Sequence, residues 1–196
     1  MIYTATITTA SLRLRESRIV AALLLKGVDA DEWKRAVYEE NALHLRSPES
    51  IKRVSGLLRA RLEPLGKGLW EMVRSGDREL ATQATFAGAV KNSRLLGDFM
   101  DIVIRDHRAT FTQAISPTAW EEYIAGCRGR DPDMPHWSEK TVAKLRSRAF
   151  HMLAEAGYLQ STRNLGLQTV FVDPRLAEFL SQSGEGYVLR CLEVTE

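Results

Sequence analysis

Apolar residues recur along this chain at three- and four-residue steps, which predicts a mainly helical protein. From Arg15 to Lys26, the positions Ile19, Ala22 and Leu23 form a helical stripe that Gly27 ends. Asp29, with Glu32 three residues on, is a capping box. It opens a helix expected to carry Trp33, Ala36, Val37 and Tyr38 inward and to run to about Leu43. Ser47-Pro48-Glu49-Ser50 starts a third helix, with Ile51, Val54, Leu58, Leu62 and Leu65 as its apolar face. Pro64 and Gly66-Lys67-Gly68 interrupt the pattern and suggest a boundary. A short helix is expected from Leu69 to Arg74, then one capped by Asp77 and rich in small residues. Residues 93–108 (SRLLGDFMDIVIRDHR) are apolar around much of the circumference, as in a buried central helix. Ser116-Pro117 repeats the start signal for a helix to about Cys127, with Trp120, Tyr123 and Ile124 inward. GRDPDMP, residues 129–135, reads as a loop, and Asp173-Pro174 opens a further helix to Gly184.

Three stretches look extended instead. Ile2 to Thr8 alternates like a short strand or an arm, and Tyr158 to Val172 like two short strands around Asn164 and Gly166. Tyr187, Leu189 and Cys191 give a final strand-like alternation.

The stretch from Trp137 to Leu159 bears most on function. Ser138 is an N-cap, with Thr141 at the third helical position. Val142, Leu145, Ala149, Met152, Leu153 and Ala156 form one stripe, while Lys140, Lys144, Arg148 and His151 share another face. A basic-faced helix followed by a hairpin is how a winged helix reads duplex DNA; an ordinary surface helix packed on a core has the same pattern. Lys52, Arg53 and Arg59 form a second basic set on the third helix. The expected architecture is all-α in the main, with two helix-turn-helix-like trihelical units, a buried central helical region and a small β-hairpin wing near the C-terminus. The divisions fall at 1–64, 65–115 and 116–196.

Charge narrows where a nucleic acid could bind. The net charge is +2, so any such site is a local patch. Residues 116–196 carry nine Lys/Arg against eleven acids, so the Lys140–Arg148 face is a concentration of charge within a net acidic region. The DNA-contacting set expected from these faces is Lys52, Arg53, Arg59, Ser138, Lys140, Thr141, Lys144, Arg148 and Arg163, with phosphate contact dominating.

Catalytic signatures are absent: no G-x-S-x-G, P-loop, G-x-G-x-x-G or H-E-x-x-H motif occurs. The four histidines are scattered singly. Asp98 and Asp101 share a helix face, but Arg94 and Arg105 stand at ion-pair spacing from them, which favours pairing over a metal. Cys127 and Cys191 lie outside any CxxC pair and read as free thiols. A non-catalytic protein with no cofactor, metal or small-molecule substrate is expected. The segment MIYTATITT lacks the form of a signal peptide, and the most apolar run, Ile19 to Leu25, is too short to span a bilayer. A cytoplasmic location without membrane contact follows.

AALLLKGVDADEWKRAVYEENALHLRSPES, SRLLGDFMD, HWSEKTVAKLRSRAFHMLAEAGYL and YVLRCLEV, taken in order, resemble the BrxA family of bacterial BREX phage-defence systems. The resemblance extends over nearly the whole chain. It implies an all-helical, cytoplasmic accessory protein encoded beside a methyltransferase, an ATPase and a phosphatase-like protein. It also implies double-stranded DNA and other BREX components as partners. A protein–protein adaptor within such a complex, or an RNA binder like the NusB-type proteins to which the family's fold has been compared, stays open.

Overall fold

A computed structural model describes residues 2–194. Helices dominate, and most start where the sequence supplies a cap. Helix α1 (Leu14–Lys26) closes on Gly27, whose left-handed φ of 66° suits glycine. Helix α2 (Ala30–Lys34) opens on the complete Asp29–Glu32 capping box. It widens into a π-helical segment, Arg35–Glu39, and stops short of Leu43. The cause is Asn41, whose side chain donates to the Leu45 carbonyl at 2.9 Å and accepts from the Leu45 N–H at 3.0 Å. Those bonds draw the backbone out of the helix, and Tyr38 ends up largely exposed.

Ser47 caps α3 (Pro48–Leu62). A 3-10 turn, Glu63–Leu65, and Gly66, at a φ of 75°, break the helical path after α3 as the sequence suggests, and α4 (Gly66–Ser75) follows directly. Gly68 has a packing reason: a Cβ there would sit 2.4 Å from the ring of Phe179. Helix α5 (Arg78–Asn92) is buried nearly all round. Its Gly88 lies so close to α3 that a Cβ would meet the Arg61 carbonyl oxygen at 2.8 Å. Helix α1 packs most extensively on α4.

The central helix runs as α6 (Arg94–Asp98), a π-helical segment (Phe99–Ile104) and α7 (Arg105–Ala109). Leu95, Leu96, Phe99, Met100 and Ile104 are buried, whereas Ile102 is exposed. Asp98 and Asp101 of this helix are engaged in ion pairs, Arg94–Asp98 at 2.9 Å and Arg105–Asp101 at 3.2 Å. Helices α8 (Ala119–Arg130), α9 (Glu139–Glu155), α10 (Pro174–Gln182) and α11 (Gly186–Leu192) complete the order. One hydrophobic cluster extends from Tyr3 to Val194 and draws on all three stretches 1–64, 65–115 and 116–196.

Of the three extended stretches, the first takes its arm form and the other two strand expectations are corrected. The N-terminal stretch is an arm ending in a 3-10 turn, Thr6–Thr8. Its Tyr3 hydroxyl donates to Asp98 at 2.8 Å, and the Asp131 carboxylate accepts the backbone N–H groups of Ile2 and Tyr3. Those two N–H bonds, led by that of Ile2, hold the Asp131 carboxyl below the usual carboxylate range. In the 187–194 stretch, residues up to Leu192 belong to helix α11, because Val188, Cys191 and Leu192 are buried at helical spacing and outweigh the alternation. No strand forms in the described part of 158–172. Two isolated antiparallel bridges remain, Leu159 with Leu167 and Ala114 with Gly166. The side chains of Ser161 and Asn164 capture the N–H groups of Asn164 and Gly166 at 2.9 and 3.0 Å, which turns the chain before a ladder can extend.

Candidate nucleic-acid interface

Helix α9 is held at its N-terminus, along its apolar side and at its end. Ser138 caps it, its Oγ accepting from the Thr141 N–H at 3.3 Å, and the two hydroxyls lie 3.0 Å apart. Leu145, Ala149, Met152 and Leu153 are buried as the stripe predicts. Phe150, outside that stripe, is buried too. It belongs to an aromatic group in which Phe99 lies 4.9 Å from Trp120, 5.2 Å from Tyr123 and 6.0 Å from Phe150 between ring centres. These rings fasten α8 and α9 to the π-helical segment of the central helix.

Two further ties act at the end of α9. The Glu155 carboxylate accepts the Leu12 N–H at 2.8 Å. The buried Arg61 of α3 donates to the Ser11 and Ala10 carbonyls at 2.7 and 3.1 Å and touches the Met152 sulfur. Burial is the main influence on Arg61, lowering its pKa to about 10, with Glu155 acting in the opposite sense.

With its apolar side committed, α9 presents Lys140 and Lys144 exposed and Arg148 half-buried. None of the three has an ion pair among the described residues. Arg146, on the flank, pairs with Glu121 of α8 at 2.8 Å and does not join them. Lys140, Lys144 and Arg148 stand four residues apart, where like charges repel by about 0.2–0.5 kcal/mol per pair. The helix therefore keeps a row of unneutralised cations at a small cost in stability. Arg163 is exposed in the 158–168 loop.

The second basic set is less uniform. Lys52 and Arg53 are exposed on α3. Arg59 is engaged: it pairs with Glu63 at 2.6 Å and its guanidinium stacks 4.8 Å from the centre of the Trp33 ring.

Sequence spacing missed a third feature. The Gln113 carbonyl accepts from the Leu167 N–H at 2.9 Å, and the Ile115 N–H donates to the Leu165 carbonyl at 3.0 Å. Residues 113–115 thus join the 158–168 loop, in which the Gln168 N–H bonds back to the Tyr158 carbonyl at 2.9 Å. Single bridges leave no alternation long enough to read from the sequence.

Among the described residues, no group of three or more His, Cys, Asp or Glu side chains is placed to hold a metal ion. No helix among them is long and apolar enough to cross a membrane.

Comparison with known proteins gives a consistent result. A family model described as BrxA matches residues 1–184. "BREX protein BrxA" of Paramagnetospirillum magneticum is 44% identical over 193 residues, covering 98% of this chain and 97% of that protein. "BREX protein BrxA" of Escherichia coli is 30% identical over 179 residues, covering 91% and 84%. A crystal structure of an uncharacterized protein from Magnetospirillum magneticum superimposes with a TM-score of 0.92 at 42% identity, covering 99% of this chain and 100% of that one. The chain belongs to the BrxA family of BREX proteins.

Proposed function

We propose that this protein is a non-catalytic component of a BREX phage-defence complex in the cytoplasm that binds double-stranded DNA through the exposed face of α9. The observation that carries the reading is the row Lys140, Lys144 and Arg148, held on a rigid helix without carboxylate partners among the described residues. An α-helix fits the major groove of B-DNA, and cations four residues apart follow one side of it along the phosphates. Ser138 and Thr141 stand at the helix N-terminus, where hydroxyls and N–H groups meet phosphate oxygens.

The order of elements supports a winged-helix-like arrangement. Helix α7 is followed by the 113–115 segment, then α8, α9 and the returning 158–168 loop, whose legs bond to each other and to 113–115. Arg163 near the loop's turn would reach a neighbouring phosphate. In the N-terminal trihelical unit, Lys52 and Arg53 provide secondary contacts. Arg59 contributes least, since Glu63 neutralises it.

Charge reversal at one position tests this reading. Lys144→Glu exchanges two repulsive i,i+4 pairs for two attractive ones, so stability rises by about 0.8–2 kcal/mol and the melting temperature by roughly 2–8 °C. Duplex affinity falls at least about tenfold at 0.1 M salt, because a phosphate contact becomes a repulsion. A thermal melt and a fluorescence anisotropy titration read both. Undiminished affinity in the stabilised variant removes the α9 face from the interface.

A protein–protein adaptor is the second reading. Phe111 and Phe171 favour it, being 87% and 78% exposed. Titration with duplex DNA, duplex RNA and single strands separates the duplex-DNA reading from both the adaptor and an RNA binder.

A further inference from the structure

The N-terminal part of the molecule holds a concave cleft of about 420 Å³ that the α9 interface does not use. Arg13 at the start of α1, His44 and Arg46 of the loop before α3, and Ser50 and Arg53 of α3 line it. Glu16 is the single carboxylate among its described lining residues, against three guanidinium groups. It lies 3.0 Å from Arg13 and offsets one of them. Arg46 has no ion pair among the described residues, and Arg53 makes only a long 3.4 Å bond to the Glu49 carbonyl.

The backbone around this cleft is strained. Arg13 and His44 have left-handed φ values of 55° and 50°, and Asn41, which clamps the same loop, has 48°. Side-chain-bearing residues adopt that conformation at a cost of roughly 1 kcal/mol or more, and such residues cluster where groups must be aimed. Here the surroundings enforce it: Asn41 bonds Leu45 twice, and its carbonyl accepts the His44 N–H at 2.8 Å.

Guanidinium forks match phosphate oxygens in bidentate geometry. No aromatic ring other than His44 lines the cleft, so a nucleobase would find little to stack on. Its size is that of a small-molecule pocket, and its concavity suits a chain terminus or a free molecule better than the convex side of a duplex. We infer that the cleft binds a terminal phosphate or diphosphate group, as a nucleotide or the 5′ end of a DNA strand carries it. The site is separate from the α9 face, and its existence does not depend on duplex binding there.

Isothermal titration of the full chain with inorganic pyrophosphate tests this directly. Binding is expected with Kd below about 1 mM. Arg13→Gln combined with Arg46→Gln weakens it at least about tenfold. Glu16→Gln removes the opposing carboxylate and tightens it several-fold, a gain that misfolding would not produce. ATP binding where adenosine does not supports the site with a free nucleotide as its source. Preference for a 5′-phosphorylated single strand over its unphosphorylated twin supports it with a DNA end as the source. Absence of pyrophosphate binding, or equal binding by the wild type and all variants, overturns the inference. Replacing Lys140, Lys144 and Arg148 by alanine leaves pyrophosphate binding intact, so failure of this site and failure of the DNA interface are told apart.

Discussion

Replacing Lys140, Lys144 and Arg148 together by alanine is expected to leave a folded protein that no longer shifts duplex DNA in a gel. Each neutralised phosphate contributes about 0.9 to the slope of log K against log salt, or roughly tenfold in affinity at 0.1 M salt. Loss of three contacts therefore lowers affinity by a few hundredfold and flattens the slope by about 2.7. The fold should not suffer. Alanine is the best helix former, the substitutions remove two repulsive pairs, and none of the three side chains has an ion pair among the described residues to lose. Circular dichroism establishes that the variant is folded, and unchanged affinity in that folded variant excludes this face.

Phe99→Ala is expected to have the largest effect on stability. The Phe99 ring is fully buried and lies against Trp120, Tyr123 and Phe150, so its removal opens a cavity where α8 and α9 meet the central helix. Such truncations cost about 3–5 kcal/mol, which for a domain of this size lowers the melting temperature by roughly 6–20 °C. The cavity lies under α9, so duplex binding should weaken at temperatures where the variant is only partly folded and recover on cooling. A thermal melt displaced by less than about 2 °C would show that these rings are not what fastens α9.

The helical fold was legible in the sequence because its signals are local. Asp29, Ser47, Asp77 and Ser138 cap the helices they were expected to cap, each through a side-chain bond within three residues. Gly27 ended its helix for the same local reason. Errors arose where distant groups decide, or where a side chain captures the backbone in place of a ladder partner. The 187–194 stretch alternates in sequence, but the partners of its buried residues lie far away, and Tyr187 bonds Asp98 across 89 positions. Residues 158–168 carry turn chemistry, but the capture of backbone groups by Ser161 and Asn164 prevented strands. Gly66 interrupts the helical path where the sequence suggests, but the reason for Gly68 was not readable, because the ring of Phe179, for which it makes room, is more than a hundred positions away.

The same division applies to the candidate sites. Lys140, Lys144 and Arg148 could be grouped from helical spacing alone, and the structure keeps them on one side of α9, the two lysines exposed and Arg148 half-buried. That Arg146 is neutralised by Glu121 and Arg59 by Glu63 needed coordinates, although the second pair has a readable i,i+4 spacing. The cleft of Arg13, Arg46 and Arg53 had no sequence signature at all. Its arginines come from three separate segments, and the left-handed backbone at Arg13 and His44 is not encoded by glycine.

Duplex DNA binding by this protein should rest on a small set of phosphate contacts. Titrating the purified full chain with duplex DNA at about 0.05 M and 0.2 M salt tests it most directly. Three contacts on α9 with two or three from Arg163, Lys52 and Arg53 predict a slope of log K against log salt of about −4.5 to −5.4, an affinity loss of roughly five hundredfold to two thousandfold between the two conditions. Binding absent at both salt concentrations, or binding of equal strength at both, would contradict the account.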